Sequence, residues 1–178
     1  MPADQTACTE QIIDQTPDAA IIANLGVSAY ILSAVEDREL NYYMRGAMGV
    51  TTPIGLGLAT ATDEPVTVIE GDGSLLMSLG CLSTVGHVDP SNLTIAVMDN
   101  SEFATTGGQP TLSSHVNFAR VAENCGLNGF TADTTDDFAA AYREALDTPG
   151  ASLIAAAVRS EKPESFPSID YAHSFLKH

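Results

Sequence analysis

Short apolar runs alternate along the chain with longer segments of helical spacing, and this alternation limits the possible folds more than any other feature. Between most of the runs, apolar residues recur at the intervals typical of amphipathic helices of about 10 to 15 residues. Six runs have the character of buried strands, and they lie within residues 18–26, 40–44, 64–71, 92–100, 129–132 and 151–160. Because strands separated by such helices need right-handed crossovers, the sequence predicts an α/β fold with a doubly wound parallel sheet and helices on both faces.

The size of the chain suits one folding unit. Its 178 residues, 44% of them hydrophobic, can bury a full core, and no internal repeat or low-complexity linker divides them. We expect a single domain over residues 1–178. The tail, residues 161–178, contains two prolines and residues of mixed polarity, and we expect it to pack on this domain or on a partner.

The formal charge of the chain is strongly negative. Its 23 acidic residues outnumber its seven basic ones and give a net charge of -16 at pH 7. Such a charge repels nucleic acid and anionic membranes, and no stretch rich in Lys or Arg offers a local exception. An acidic surface of this kind is typical of proteins from salt-loving cells, where screening reduces self-repulsion. We expect no nucleic-acid partner and no membrane partner.

The cysteines and the N-terminal sequence indicate the compartment. Cys8, Cys81 and Cys125 are odd in number and widely spaced, which argues against a disulfide framework and against a zinc site. The N-terminal segment has no basic stretch followed by an apolar one, and no apolar run reaches about 18 residues. We therefore expect a soluble cytoplasmic protein with reduced thiols.

Polar residues follow two of the predicted strands directly. Residues 71–74 read Gly-Asp-Gly-Ser after one strand, and Asn100 follows the next. Ligands of parallel sheets bind beyond the carboxyl ends of the strands, and a crossover helix would make these two strands neighbours. The oxygens of Asp72 and Asn100 suit Mg²⁺ or Ca²⁺, and the N–H groups of the helix that opens near Ser74 suit a phosphate. The pattern predicts a site for a metal-bridged diphosphate.

The same residues resemble a known family. The Gly-Asp-Gly-Ser sequence, the Asn within DNSEF at residues 99–103 and the Gly-x-Met-Gly turn at residues 46–49 together resemble the binding motif of thiamine diphosphate enzymes. The resemblance covers the chain from Ala19 to Val158. It implies the pyrophosphate-binding (PP) domain of that family, with thiamine diphosphate and Mg²⁺ as cofactors.

The resemblance also implies roles for individual residues. Asp72 and Asn100 match side-chain ligands of the metal, and Glu102 matches a ligand that uses its backbone carbonyl. Gly46 and Met48 match the residues that contact the aminopyrimidine ring, and Met48 matches the apolar wedge that bends the cofactor, so both are catalytic by resemblance. The matching cofactor-binding positions are Ser28, Gly46, Met48, Gly71, Gly73, Ser74, Asn100 and Glu102.

A narrower resemblance lies around the motif. TTGGQPT at residues 105–111, NYYMRGAMG at 41–49 and GSLLMSLGCLSTVG at 73–86 are similar to segments of phosphonopyruvate and sulfopyruvate decarboxylases. This similarity implies the beta chain of a decarboxylase that acts on a 2-oxo acid with a sulfonate group, and a 2-oxo acid with a phosphonate group is the alternative. Two departures from the pattern, Arg45 and Glu102, leave the identity of the 2-oxo acid open. Candidate substrate contacts are Arg45, Thr106, Gln109 and His115.

The chain lacks room for one residue that this family needs. The glutamate that activates the aminopyrimidine ring belongs to a second, pyrimidine-binding (PYR) domain. Glu36 and Glu39 precede a strand and Glu70 lies inside one, so none suits the role. We expect the PYR domain on a separate alpha chain, in an α₂β₂ or larger assembly. The alternatives are a subunit of another thiamine diphosphate-dependent 2-oxo acid enzyme and a non-catalytic module that binds a cofactor or nucleotide.

Overall fold

The computed structural model describes residues 1–160, and these include all six predicted strands. The expectation for the tail, residues 161–178, lies outside the described residues. The strands are β1 (Ala20–Ala23), β2 (Asn41–Tyr43), β3 (Val66–Gly71), β4 (Leu93–Asp99), β5 (Glu102–Phe103), β6 (Gln109–Pro110), β7 (Asn128–Ala132) and β8 (Ser152–Ala157). The helices are α1 (Gln5–Gln15), α2 (Val27–Val35), α3 (Thr51–Ala59), α4 (Asp72–Met77), α5 (Cys81–Val88), α6 (Phe118–Asn124) and α7 (Thr135–Asp147), with a 3₁₀ turn at Ser113–His115.

Six strands form one parallel sheet in the order β2-β1-β3-β4-β8-β7. Strand β2 lies on one side of β1, and β3 lies on the other side. The direction in which strands are added to the sheet therefore reverses between β1 and β3. The connections that leave these two strands diverge and open a crevice beyond their carboxyl ends. The predicted α/β class with a doubly wound parallel sheet is confirmed.

Apolar residues cover both faces of the sheet. Successive strand residues point to opposite faces, and Ile21 and Ile22 of β1 accordingly belong to different clusters of the core. The cluster of Ile21 includes side chains of α1, α2 and α7, and the cluster of Ile22 includes side chains of α3, α4, α5 and α6. The molecule therefore has a helix–sheet–helix layering that leaves the strand ends accessible to a ligand.

Three features differ from the sequence-based expectations. Helix α1 was not predicted, and it begins at Gln5 with the side chain of Asp4 accepting a hydrogen bond from the Ala7 amide at 2.9 Å. The helix expected to open near Ser74 is divided into two helices, α4 and α5. The loop that follows β4 contains the short antiparallel hairpin β5–β6.

The two ends of the described chain lie side by side. Ala3 forms a parallel bridge with Val158 beside the carboxyl end of β8. Its amide donates to the Ala157 carbonyl at 2.9 Å, and its carbonyl accepts from the Arg159 amide at 3.0 Å. The Arg159 guanidinium also lies 2.6 Å from the Asp4 carboxylate.

None of the helices within residues 1–160 combines the length and the apolar character needed to cross a bilayer.

Candidate functional site

A cleft of about 90 Å³ opens at the switch point between β1 and β3. Its walls come from the β1–α2 connection, the start of α4, the turn that carries Met48 and the segment after β4. The structure thus brings together most of the predicted site residues. Those that line the cleft are Ser28, Met48, Gly71, Asp72, Gly73, Ser74, Asn100, Glu102 and Thr106, and Thr105 lies beside them.

Asp72 is the most deeply placed carboxylate of the cleft. It is 2% exposed and begins α4 directly after β3. Burial raises the pKa of Asp72 above its usual range; a hydrogen bond from the Thr111 hydroxyl works against this rise, and the nearby charge of Asp99 adds to it. A carboxylate in this position is stabilised by a cation that offsets its charge.

Asn100 and Glu102 lie at the end of the neighbouring strand. Strands β3 and β4 pair in register, with Gly71 opposite Met98, so Asp72 and Asn100 follow adjacent strand ends as predicted. The Glu102 amide donates to Asn100 Oδ1 at 3.0 Å, which orients that side chain. The Glu102 carboxylate accepts a hydrogen bond from the Ser160 hydroxyl at 2.7 Å.

The start of α2 forms the opposite wall. Ser28 is buried in the first turn of this helix, and its hydroxyl oxygen accepts a hydrogen bond from Gln5 Nε2 at 3.1 Å. The helix has no side-chain cap at Gly26, so its first N–H groups are available to an anion. Gly26 has φ +80°, and a Cβ there would lie 2.7 Å from Thr105 Cγ2. Glycine at this position lets the loop after β4 come close to the β1–α2 connection.

The Gly-x-Met-Gly turn is tied to the Gly-Asp-Gly-Ser segment by a hydrogen bond. The Gly49 amide donates to the Ser74 hydroxyl at 2.9 Å, and Met48 lines the cleft. Gly46 has φ +71° and does not line it. The turn therefore holds Met48 beside the predicted diphosphate position.

Glu70 lies beneath the Gly-x-Met-Gly turn as a fully buried carboxylate. The amide and hydroxyl of Thr52 donate to its Oε2 at 3.1 and 2.9 Å, and the Gly71 amide donates to Oε1 at 3.1 Å. Burial raises the pKa of Glu70, and its hydrogen bonds to Ser74, Thr52 and Gly71 oppose that rise. Glu70 thus connects the start of α3 with the end of β3.

Three of the four predicted substrate residues lie outside the cleft at the switch point. Gln109 is exposed on β6 and accepts a hydrogen bond from the Thr106 hydroxyl at 3.1 Å. His115 lines a second cleft, beyond the ends of β7 and β8, together with Asp99 and Asp133. Arg45 does not line the cleft at the switch point. Of the four candidates, Thr106 alone is brought to that cleft.

Sequence reasoning missed several residues of the site. Gln5 and Asn24 line the cleft, Phe103 packs over Gly73 and Thr111 bonds to Asp72. Asn24 directly follows β1, so the rule that led to Asp72 could have identified it. Gln5 and Thr111 arrive from distant segments, and no local pattern marks them.

The donor set of the cleft fits a hard divalent cation. Asp72 offers a carboxylate, Asn100 an amide oxygen and Glu102 a backbone carbonyl, which are the oxygen types that Mg²⁺ binds while retaining waters or phosphate oxygens. Within residues 1–160, no group of three His, Cys, Asp or Glu side chains converges as a metal cluster. The chemistry of the cleft therefore favours a cation shared with a phosphate-bearing ligand over a metal held by protein alone.

The chain is similar to known proteins over most of its length. Residues 22–156 match the family described as "Thiamine pyrophosphate enzyme, C-terminal TPP binding domain". The chain is 40% identical to the sulfopyruvate decarboxylase subunit beta of Methanocaldococcus jannaschii over 137 residues, 76% of this chain and 73% of that one. It is 32% identical to the same subunit of Methanococcus maripaludis, covering 94% of this chain and 90% of that one.

Longer proteins contain a similar segment. The chain is 44% identical to phosphonopyruvate decarboxylase of Streptomyces viridochromogenes over 86% of its own length but spans only 39% of that protein. The fold is also that of benzoylformate decarboxylase from Polynucleobacter necessarius, with a TM-score of 0.78 and 22% identity over 92% of this chain and 34% of that one. The family match covers most of the sequence, and the two beta subunits match over most of their length. The chain therefore belongs to the thiamine pyrophosphate enzyme family, and it matches the C-terminal TPP binding domain of that family.

Proposed function

We propose that the chain is the beta subunit of a two-chain, thiamine diphosphate- and Mg²⁺-dependent 2-oxo acid decarboxylase that converts sulfopyruvate to sulfoacetaldehyde and CO₂. The observation that carries this proposal is the cleft at the switch point, where Ser28, Met48, Asp72 and Asn100 converge. The similarity to two sulfopyruvate decarboxylase beta subunits over 73% and 90% of their lengths supports the choice of substrate.

In this proposal the residues of the chain bind and orient the cofactor. Asp72 and Asn100 would hold Mg²⁺ through side-chain oxygens and Glu102 through its carbonyl. Ser28 and Ser74 would hold the diphosphate with the backbone of Gly71 and Gly73, and Gly46 and Met48 would contact the aminopyrimidine ring. Bound thiamine diphosphate supplies the electron sink that allows CO₂ to leave a 2-oxo acid.

The alpha chain would supply the activating glutamate, which the cleft lacks. A volume of about 90 Å³ is small beside the roughly 300–1,000 Å³ of typical small-molecule sites. The carboxylates that line it within residues 1–160 are Asp72 and Glu102, while Glu70 is enclosed by Thr52 and Gly71. We therefore assign the activating glutamate to the PYR domain of an alpha chain, in an α₂β₂ or larger assembly.

The compartment and the domain organisation are also part of the proposal. All three cysteines are free, which is typical of proteins in a reducing cytoplasm. We further propose that residues 1–178 form one PP domain.

A second candidate substrate is phosphonopyruvate. The 44% identity to a phosphonopyruvate decarboxylase favours it, although the chain spans 39% of that protein. Sulfonate and phosphonate groups are similar in shape, and substrate discrimination would depend on residues from both chains.

The experiment that tests the proposed function combines this chain with an alpha chain of the sulfopyruvate decarboxylase type. Release of CO₂ from sulfopyruvate, phosphonopyruvate and pyruvate is measured with thiamine diphosphate and Mg²⁺, for each chain alone and for the mixture. We expect turnover of sulfopyruvate by the mixture, its loss in EDTA and its loss in the Asp72→Ala variant.

The controls separate the competing interpretations. Rapid turnover by this chain alone would contradict the shared site. Faster release from phosphonopyruvate or pyruvate would reassign the substrate. Cofactor binding without turnover with any alpha chain would indicate a non-catalytic module.

A further inference from the structure

We propose that Thr111 and Ser113 are positioning residues that hold the carboxylate of Asp72 in place for a divalent cation. This inference rests on the proposed function, because it concerns the residue that would bind Mg²⁺ there. Neither residue was among the predicted site residues, and neither lines the cleft. Both lie behind Asp72, on the segment that follows the β5–β6 hairpin.

The first step of the argument is the contact with Asp72. The Thr111 hydroxyl donates to Asp72 Oδ2, and both residues are buried, Thr111 at 7% and Asp72 at 2% exposure. A carboxylate with one oxygen fixed by a buried hydroxyl cannot rotate freely about its last bond. The other oxygen, Oδ1, then remains the one to present to a cation in the cleft.

The second step concerns the neighbouring carboxylate, Asp99. Ser113, which is 1% exposed, donates from its hydroxyl to Asp99 Oδ1 at 2.7 Å, and the amide of Ser101 donates to the same oxygen at 3.0 Å. The hydroxyl oxygens of Thr111 and Ser113 lie 3.2 Å apart. Two adjacent hydroxyls thus stand between two negative side chains, each able to donate its single proton to one of them. Ser113 keeps Asp99 engaged, and Thr111 holds Oδ2 of Asp72 while Oδ1 is left for the metal.

The third step is the way in which the fold places these hydroxyls. The Thr111 amide donates to the Ser101 carbonyl at 3.1 Å, which returns the chain to the end of β4 after the hairpin. A Cβ on Gly73 would lie 2.9 Å from Thr111 Cγ2, so the methyl group of Thr111 packs against the Gly-Asp-Gly turn. Thr111 therefore has two separable functions, a packing function of its methyl group and a hydrogen-bonding function of its hydroxyl.

This separation gives a matched pair of variants. Thr111→Val keeps the branched shape and removes the hydroxyl, whereas Thr111→Ser keeps the hydroxyl and removes the methyl group. The test uses the complex of this chain with its alpha chain. The dissociation constant of Mn²⁺ is measured by electron paramagnetic resonance at saturating thiamine diphosphate, and that of Mg²⁺ is measured by competition.

We expect Thr111→Val to weaken metal binding about 10- to 100-fold, the range found when an outer partner of a metal ligand is removed, and Thr111→Ser to stay within about threefold of wild type. Equal weakening in both variants would show that packing is responsible and would overturn the proposal. Wild-type affinity in Thr111→Val would overturn it as well. If the wild-type complex binds no metal, the proposed function fails, and this inference fails with it.

A second variant keeps the proposal testable if Thr111→Val does not fold. Ser113→Ala removes the donor to Asp99 and a hydrogen-bonding neighbour of Asp72, and we expect metal binding to weaken about tenfold. Unchanged affinity in Ser113→Ala, in a complex whose melting temperature equals that of wild type, would overturn the part of the proposal that assigns Ser113.

Discussion

At the scale of single residues, Glu70 shows how a buried carboxyl group can organise a site without facing it. Its carboxylate accepts hydrogen bonds from Thr52 and Gly71, and Ser74 lies between it and the Gly-x-Met-Gly turn. The position of Glu70 inside a strand could be predicted from the sequence. Its partners could not, because Thr52 reaches it only through the packing of α3 on β3.

Replacing Glu70 by Ala should lower the stability of the chain. The Thr52 and Gly71 amides would lose their acceptor in a buried place, which costs about 1–3 kcal/mol of unfolding free energy. Urea denaturation followed by circular dichroism measures the change. Glu64→Ala, at an exposed position before β3, is the control and should change stability by less than about 0.5 kcal/mol. Equal stability of the two variants would contradict the assigned role of Glu70.

The buried thiol of Cys8 should be chemically inert in the native chain. Cys8 is fully buried, and its burial, together with the nearby charge of Asp4, raises the pKa of the thiol to about 12. Because the thiolate is the reactive form, iodoacetamide at pH 8 should label Cys8 only after unfolding. Peptide mapping by mass spectrometry checks this, with the half-buried Cys125 as the internal reference. Labelling of both cysteines at one rate in the native state would contradict the expectation.

At the scale of elements, the strands were more predictable than the breaks between helices. The runs around β3 and β4 are rich in β-branched residues and have flanking turn residues, so their type and order followed from the sequence. Helix α1 was not predicted because its buried face includes Gln5 and Thr9, which weaken the apolar pattern. The division of α4 from α5 falls at Ser78–Gly80, where the glycine was an available signal.

The hairpin β5–β6 was harder to predict from the sequence than the strands of the sheet. Its strands have two residues each and show no alternation, although Gly107 and Gly108 mark the turn. Its importance comes from tertiary contacts, since Phe103 covers Gly73 and Thr105 meets Gly26. Such contacts depend on the assembled sheet and leave no local pattern.

Two glycines of helix α3 allow its packing on the sheet to be tested. A Cβ on Gly55 would lie 2.1 Å from Val68 Cγ2, whereas a Cβ on Gly57 would meet no atom within 4 Å. We expect Gly55→Ala to destabilise the chain by about 1–3 kcal/mol through overpacking. The matched variant Gly57→Ala should stabilise it by about 0.5–1 kcal/mol through helix propensity.

Chemical denaturation measures both glycine variants. The opposite signs matter more than the magnitudes, because the two substitutions add the same atoms to the same helix. A stabilising Gly55→Ala would mean that α3 does not pack on β3 as described.

At the scale of the whole molecule, the site was predictable where it depends on strand order. Residues that directly follow neighbouring parallel strands must meet at one edge of the sheet, so the sequence alone was enough to pair Asp72 with Asn100. The residues that come from elsewhere, among them Gln5 and Thr111, depend on how the chain returns to that edge. His115 was expected at this site because it is near in sequence, but the 3₁₀ turn places it beside β7 and β8 instead.

The net charge of -16 predicts a dependence of stability on salt. Raising the ionic strength from 0.1 to 1 M shortens the screening length from about 10 to about 3 Å and so reduces repulsion among surface carboxylates. We expect the melting temperature of the chain to rise over this range of NaCl, as measured by differential scanning calorimetry. Sorbitol at equal osmolality is the control, and an equal rise in sorbitol would show that charge screening is not the cause.

The bridge between Ala3 and Val158 has a consequence for how the gene could be rearranged. Because the bridge is parallel, Pro2 and Arg159 lie toward its opposite ends, and a peptide of about a dozen residues that turns back past the bridge would close the described chain into a ring. New ends could then be opened in the exposed connection at residues 63–65, ahead of β3, without separating any pair of neighbouring strands. A circularly permuted gene of this kind would keep every strand of the sheet in its present place.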